Sequence, residues 1–376
     1  MRYVQINSHS GAWADSVIFK KHREMTERGI DSYVFWGRGR PTVNDHEQRF
    51  MNPREAYTDS MLTRLDGKMG FHSKGPTKRL LKRLDEIQPD VVHLHSISGS
   101  VVDVAQLFEW LQKQDCQVIW TLHDCWAFTG GCIFFTMTGC NKWRTHCELP
   151  CPSIPDIRTP VWHYRSRVDW CYEEKKRLFT ALPVDRMTLY TPSRWLADLT
   201  RESFLAKYPV EVVHNTVDRA VFHPSASNFR MRHGLTDKFI VLGVAGSWDS
   251  RKGYEDLISL ARELDYRFAV VVVGLNDDQL AASPHDTRAS FMGIKRTESR
   301  EQLVGLYSTA DVLFNPTKED NYPTVNLEAE ACGTPVVTYD VGGCRETLHL
   351  EDSRAVGGFD EALKTIIAMR DDASET

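Results

Sequence analysis

Short apolar runs alternate with amphipathic stretches along nearly the whole chain, and the alternation starts afresh after about residue 216. In the first half, Tyr3–Ile6, Tyr33–Trp36, Val91–Leu94, Val118–Thr121 and Leu189–Thr191 read as buried strands, with helices near 14–28, 76–87 and 101–114. In the second half, Ile240–Val244, Val270–Val273, Val312–Asn315 and Val336–Tyr339 are strands, with helices near 254–264, 299–309 and 324–332. Strand and helix in turn predict right-handed βαβ units and parallel sheets, so the fold class is α/β with two doubly wound, Rossmann-like domains. Ligands of such sheets bind beyond the carboxyl ends of the strands, and a cleft between two facing domains is the expected active site.

With 376 residues the chain has room for two cores, and 41% hydrophobic with 26% charged residues is an ordinary globular composition. A net charge of −5 gives no support to a nucleic-acid binder. No apolar run reaches the roughly 18 residues that span a bilayer, and the opening MRYVQINSHSG lacks the apolar core of a signal peptide, so a cytoplasmic protein is expected. Two segments interrupt the rhythm: residues 38–75, polar and predicted to be loop, and residues 125–160, predicted to be an insertion with little regular structure. Five of the nine cysteines (Cys125, Cys132, Cys140, Cys147, Cys151) crowd into the second, which in a reducing compartment suggests metal before disulfides.

The stretch from Glu319 to Glu328, EDNYPTVNLE, carries the most chemistry. It starts just past a strand and enters a helix that ends at Gly333, so Asp320 lies in a strand-end loop and Glu328 two turns into the helix. The amides of Asn321, Tyr322, Thr324 and Val325 flank Pro323 at the helix start, where an anion such as a diphosphate binds well. Upstream, the turn from Gly246 through Ser247 to Arg251, Lys252 and Gly253 follows another apolar strand, and its basic residues suit a diphosphate too.

These residues resemble the paired-acid signature of glycosyltransferase family 4, whose members are retaining enzymes of the GT-B fold. The resemblance implies that Asp320 contacts the donor sugar and Glu328 the ribose of the nucleotide. It puts Lys252 on the donor phosphates, with Ser247 at the position of the family's arginine and Arg251 as a second cation. Gly342 and Gly343 match the family's glycine turn, Gly293 and Ile294 the backbone that reads the base, and His214 to Asp218 with Phe222 the domain junction. In the first half the likeness is looser: Asn7 to Ala12, with Gly11, matches a glycine turn near phosphates and acceptor, and His123 matches a histidine that touches the donor sugar. Of the pair His93 and His95, His95 is expected to face the cleft. The HDCWAFTG segment resembles a branch from bacterial surface-polysaccharide clusters. There Cys132, Cys140, Cys147 and Cys151 are candidate ligands of a structural zinc, with reduced thiols as the alternative.

The implied reaction is transfer of a sugar from a nucleoside diphosphate sugar, of UDP or GDP type, to a glycan or polyprenyl-diphosphate-linked acceptor, without a catalytic metal. No acid stands out as a covalent nucleophile, and the family's chemistry is front-face displacement assisted by the leaving diphosphate. Residues 1–216 would form the acceptor domain and 217–352 the donor domain, with a terminal helix over 353–376 packing back on the first. A basic run (Lys68, Lys74, Lys78, Arg79, Lys82, Arg83) offers peripheral attachment to a membrane, with a solvated helix face as the other reading. Competing functions are a sugar-nucleotide epimerase of the same fold and a silent sugar-nucleotide-binding subunit.

Overall fold

The computed structural model describes residues 1–11, 13–98, 100–152 and 167–373, and the chain divides into two compact units, Met1–His214 and Asn215–Thr376. In the first, seven strands form one sheet: β1 (Arg2–Ser10), β2 (Asp31–Gly39), β3 (Glu47–Arg49), β4 (Val91–Leu94), β5 (Gln117–Thr121), β6 (Met187–Thr191) and β7 (Val210–Val212). Their order is β3-β2-β1-β4-β5-β6-β7, and every pairing is parallel. Parallel neighbours cannot be joined by a tight turn, and the helices α1 (Trp13–Glu27), α2 (Pro53–Asp66), α3 (Lys74–Ile87), α4 (Val104–Leu111), α5 (Val168–Phe179) and α6 (Arg194–Arg201) lie in the connections. Val4, Ile6, Val92, Leu94, Val118 and Leu189 are fully enclosed, as strands covered on both faces require. The strand order reverses between β1 and β4, which opens a crevice at their carboxyl ends.

The second unit repeats the plan with six strands, β8 (Phe239–Val244), β9 (Phe268–Val273), β10 (Ser290–Ile294), β11 (Val312–Asn315), β12 (Val336–Tyr339) and β13 (Arg354–Val356). The order is β10-β9-β8-β11-β12-β13, again all parallel. Six helices accompany them: α7 (Phe229–Arg232), α8 (Tyr254–Glu263), α9 (Asp277–Ala281), α10 (Arg300–Thr309), α11 (Thr324–Ala331) and α12 (Phe359–Ala373). The reversal here lies between β8 and β11, so the loops after those two strands are the ones that diverge. Both carry residues singled out in the sequence.

Three expectations are corrected. Residues 38–75 are not loop throughout: they hold β3 and α2, the helix opened by a capping box in which Asn52 and Glu55 bond each other's backbone. Residues 125–152 contain short 3₁₀ turns and are anchored rather than loose, because Trp126, Phe128 and Trp143 are buried in the first core; residues 153–160 lie outside the described residues. Residues 353–373 are not helix throughout: β13 comes first, and α12 follows and packs on β12 and α8, where Ala362 and Ile366 are fully buried.

Candidate active site

Three strand-end loops of the second unit converge on Asp320. The loop after β8 is shaped by Asp249, whose carboxylate accepts from the amides of Arg251 and Lys252. Gly253 follows at φ +76°, and a Cβ there would sit 2.2 Å from the carbonyl of Pro316. This close approach lets the loop after β8 lie against the loop after β11. Lys252 Nζ then reaches Asp320 Oδ2 at 2.6 Å, and Arg251 Nη1 reaches the same oxygen at 3.4 Å and the Glu319 carbonyl at 2.8 Å. The third loop, after β12, brings Gly342 (φ +57°) so near that a Cβ would lie 1.9 Å from the Asp320 carbonyl, which also accepts from the Gly343 amide at 3.0 Å. No side chain is tolerated at Gly342.

The electrostatics follow from this packing. Burial alone would raise the Asp320 carboxyl, but the charges of Lys252 and Arg251 outweigh it and hold the group below the usual carboxylate range. The result is an ionised acid flanked by two cations at the switch point of the sheet. Pro323 precedes α11 with no side chain capping its first turn, which leaves backbone donors of Thr324 and Val325 at the same end of the sheet. Helix α11 is fixed in register by Asn326, which is fully buried, accepts from Asn315 and donates to Thr347, each at 2.9 Å.

Glu328 stands apart from this cluster. Its Oε2 accepts from the buried Tyr307 hydroxyl at 2.9 Å, and burial pushes its carboxyl up to about 7, against that hydrogen bond and the charge of Arg300. Tyr307 escaped sequence reading because one tyrosine on an amphipathic helix looks like any core aromatic. Tyr322 and Asn321 are buried, the Tyr322 hydroxyl donating to the Glu346 carbonyl. Ser247 is exposed on the β8 loop. Gly293 and Ile294 end β10, three strands from β11, and a Cβ at Gly293 would crowd the methyl ends of Leu275 and Leu280.

In the first unit, His123 follows β5 and is the half-buried end of a ladder of polar side chains whose other members, His95 and Gln5, are buried. Its Nε2 lies 3.3 Å from His95 Nδ1, and His95 Nε2 lies 3.3 Å from Gln5 Oε1. The Gln5 amide is oriented by its Nε2, which donates to the Ile18 carbonyl. Hydrogen-bond order then assigns the tautomers: Gln5 Oε1 accepts from His95 Nε2–H, so His95 Nδ1 carries the lone pair and accepts from His123 Nε2–H. Burial lowers His95, His123 to about 4 and the neighbouring His93 to about 3, so all three are neutral at pH 7. His93 is the structural partner, held between Tyr3 and Thr121 at 2.6 and 2.7 Å. Gly11 follows β1 at φ +135°, in open space. Gln5 was missed in the sequence, although a glutamine inside a buried strand pattern was the available signal.

The four candidate cysteines come together in the structure. Cys132, Cys140, Cys147 and Cys151 line one small cavity of about 20 Å³, yet among the described residues no group of three or more His, Cys, Asp or Glu is disposed to hold a metal ion. Cys132, Cys140 and Cys147 also border the apolar core, and burial pushes the Cys147 thiol up to about 11, its sulfur accepting from the Gly130 amide. The neighbouring cation is Lys175, fully buried, which donates to the Trp126 carbonyl at 2.6 Å and lies 4.1 Å from the centre of that indole ring.

Comparison with known proteins agrees with both units. Residues 15–221 match the model of Glycosyltransferase Family 4, and residues 225–365 that of Glycosyl transferases group 1. A glycosyl transferase named for colanic acid biosynthesis, WcaC of Escherichia coli (strain K12), is 22% identical over 362 residues, covering 91% of this chain and 84% of that protein. A D-inositol 3-phosphate glycosyltransferase of Mycolicibacterium smegmatis is 32% identical over 142 residues, covering 36% of this chain and 33% of that one. Among solved structures, sucrose-phosphate synthase from Thermosynechococcus elongatus superposes with a TM-score of 0.65 at 16% identity, over 99% of this chain and 90% of that chain. Anabaena HepE in complex with UDP-glucose gives 0.62 at 13% identity, over 100% and 91%. Those likenesses establish the GT-B fold, and the match over more than half of its length establishes the family: this chain belongs to glycosyltransferase family 4.

Proposed function

We propose that the chain is a retaining hexosyltransferase that moves a sugar from a UDP- or GDP-sugar to a glycan or polyprenyl-diphosphate-linked acceptor in bacterial surface-polysaccharide synthesis. The observation that carries this reading is the ionised Asp320 held between Lys252 and Arg251 at the switch point of the second sheet. Two cations with an adjacent helix start suit a diphosphate, and an acid among them suits a sugar ring that gains positive charge as its bond breaks. In the reaction the acceptor oxygen bonds to the anomeric carbon, the bond from that carbon to the diphosphate breaks, and the acceptor proton passes to a diphosphate oxygen. Lys252 and Arg251 stabilise the charge left on the diphosphate. Asp320 holds the sugar with the Gly343 turn, and Glu328 accepts from the ribose. Gly293 and Ile294 flank the base, and neutral His123 contacts the sugar.

The first unit then serves the acceptor and the second the donor. HepE in complex with UDP-glucose supports a uridine donor, WcaC supports a polysaccharide product, and the D-inositol 3-phosphate enzymes support an acceptor that carries phosphate. No helix among the described residues is long and apolar enough to cross a membrane, and any membrane association is peripheral in this reading. Labelled UDP- and GDP-sugars are to be incubated with the chain and a synthetic polyprenyl-diphosphate sugar, and the product's anomeric proton coupling read by NMR. Retained configuration is expected. Inverted configuration removes the chain from the retaining class, and binding of donor without turnover on any acceptor makes it a silent subunit.

A further inference from the structure

Helices α10 and α11 pack on each other, and the bridge between them is an ionisable one. Tyr307 on α10 is fully enclosed, and its hydroxyl donates to Oε2 of Glu328 on α11 at 2.9 Å. The tyrosine is held from two further sides. Phe222 meets its ring edge-on with the centroids 6.3 Å apart, and the Thr334 hydroxyl donates to its carbonyl at 2.5 Å. Glu328 itself is only half-buried, so solvent reaches the residue that the enclosed phenol holds. An apolar pair of similar volume would join two helices without the desolvation cost of a carboxylate. An acid kept in that setting, anchored by one oxygen, suits a ligand that needs an acceptor.

Burial works against that use, because it favours the protonated carboxyl, while the Tyr307 hydrogen bond and the charge of Arg300 oppose it. Tyr307 and Arg300 act on the carboxyl from α10, and Cys332 from the end of α11. Burial raises the Tyr307 phenol far above its usual range and the Cys332 thiol to about 11, and a guanidinium stays charged. Of these groups, then, Glu328 alone titrates near neutrality. We propose that Tyr307 is a positioning residue of the donor site: its hydroxyl pins one oxygen of Glu328 and so presents the other to the ribose hydroxyls. The same bond favours the ionised carboxylate, the form whose oxygens only accept. The assignment rests on the reading of Glu328 as the ribose contact, and it adds a residue that touches no substrate.

Calorimetry on the full chain tests it with UDP, GDP and their 2′-deoxy counterparts between about pH 6 and about pH 9. The native chain should prefer the ribonucleotide by about tenfold, with affinity rising through about pH 7. Tyr307→Phe should move the midpoint of that rise up by about one to two pH units, since a hydrogen bond to a charged group is worth about tenfold to hundredfold. The variant should therefore lose its ribose preference at neutral pH and regain it in alkali. An equal loss at every pH makes Tyr307 merely structural and overturns the proposal, as does an unchanged profile. Biosynthetic 3-fluorotyrosine keeps the shape of the ring and donates more strongly, so it should lower the midpoint. No movement with fluorotyrosine overturns the proposal even where Tyr307→Phe does not fold. Glu328→Gln should abolish both the pH dependence and the ribose preference. A ribose preference that survives Glu328→Gln sinks the reading of Glu328 and this proposal together. One that is lost in Glu328→Gln and untouched in Tyr307→Phe at every pH keeps that reading and removes Tyr307 alone.

Discussion

Lys252 Nζ lies 2.6 Å from Asp320 Oδ2, so the cation assigned to the donor diphosphate is already engaged by the acid assigned to the donor sugar. Both side chains are mostly buried, 21% and 14% exposed, so removing one partner leaves the other charge buried with less compensation. In the proposed role, a bound diphosphate would share a lysine whose direction Asp320 has already set.

Replacing Lys252 with Ala should weaken nucleotide-sugar binding roughly 10–100-fold, since a charge-assisted hydrogen bond is worth about 1.5–3 kcal/mol. The fold should survive, because Arg251 still faces Asp320 at 3.4 Å. Asp320→Asn should leave the affinity for UDP or GDP, which lack the sugar, unchanged or improved, because Lys252 is then released to the phosphates. Titration calorimetry reads both, and donor affinity untouched in Lys252→Ala removes this residue from the phosphate site.

Asp320 and Glu328 should separate in steady-state kinetics. A contact to the ribose exists in ground and transition states alike, so Glu328→Gln should raise the donor KM with little change in kcat. A contact to a ring that gains charge is strongest in the transition state, so Asp320→Asn should lower kcat by about 10²–10³. Full activity in Asp320→Asn would shift the sugar contact to Glu319, whose side chain is fully buried next door.

Glu328 also predicts a pH signature. Its carboxyl is raised from 4.5 to about 7 by burial, so between those values the folded chain holds a proton that the unfolded chain has lost. Stability therefore falls as pH rises through that window, and Glu328→Gln should flatten the fall. Ribose hydroxyls donate to the ionised form, so nucleotide binding should release a proton near neutrality and weaken below about pH 7. Calorimetry in buffers of different ionisation enthalpy measures the release, which should vanish in Glu328→Gln.

The ladder Gln5–His95–His123 predicts a tautomer. Nitrogen-15 shifts should show His123 neutral with its proton on Nε2 down to about pH 5, since burial holds it near 4. Gln5→Glu puts a carboxylate against His95, favours a second proton on that ring and should invert the His123 tautomer. Transfer should drop in kcat while donor KM holds. An unchanged His123 spectrum in Gln5→Glu means that the ladder does not set the proton.

What the sequence made legible follows from where each element lies in its sheet. Central strands such as β9, FAVVVV, are covered on both faces and announce themselves as apolar runs. The strands that escaped notice, β3, β7, β10 and β13, are the outermost of their sheets; half their surface meets other things than a strand, and EQR or RAV carries no apolar signal. Asp320, Lys252 and Gly342 were legible because charge and glycine at strand ends have few structural uses. Gln5 and Tyr307 were not, because they act through buried partners far away in the chain, His95 and Glu328.

The strand order of the second unit carries one more consequence. The loops that meet at Asp320 follow β8, β11 and β12, and β8 pairs with β11 only after the whole β9–β10 excursion has been laid down on its other side. No fragment of that unit that stops short of β12 holds all three loops. If the cluster at Asp320 binds nucleotide as proposed, nucleotide would recognise only the folded unit, and by mass action each tenfold excess of nucleotide over its dissociation constant would add about 1.4 kcal/mol to the unit as a whole. In a cell the pool of activated sugar would then act as a folding cofactor, setting how long the newly made protein survives as well as how fast it turns over.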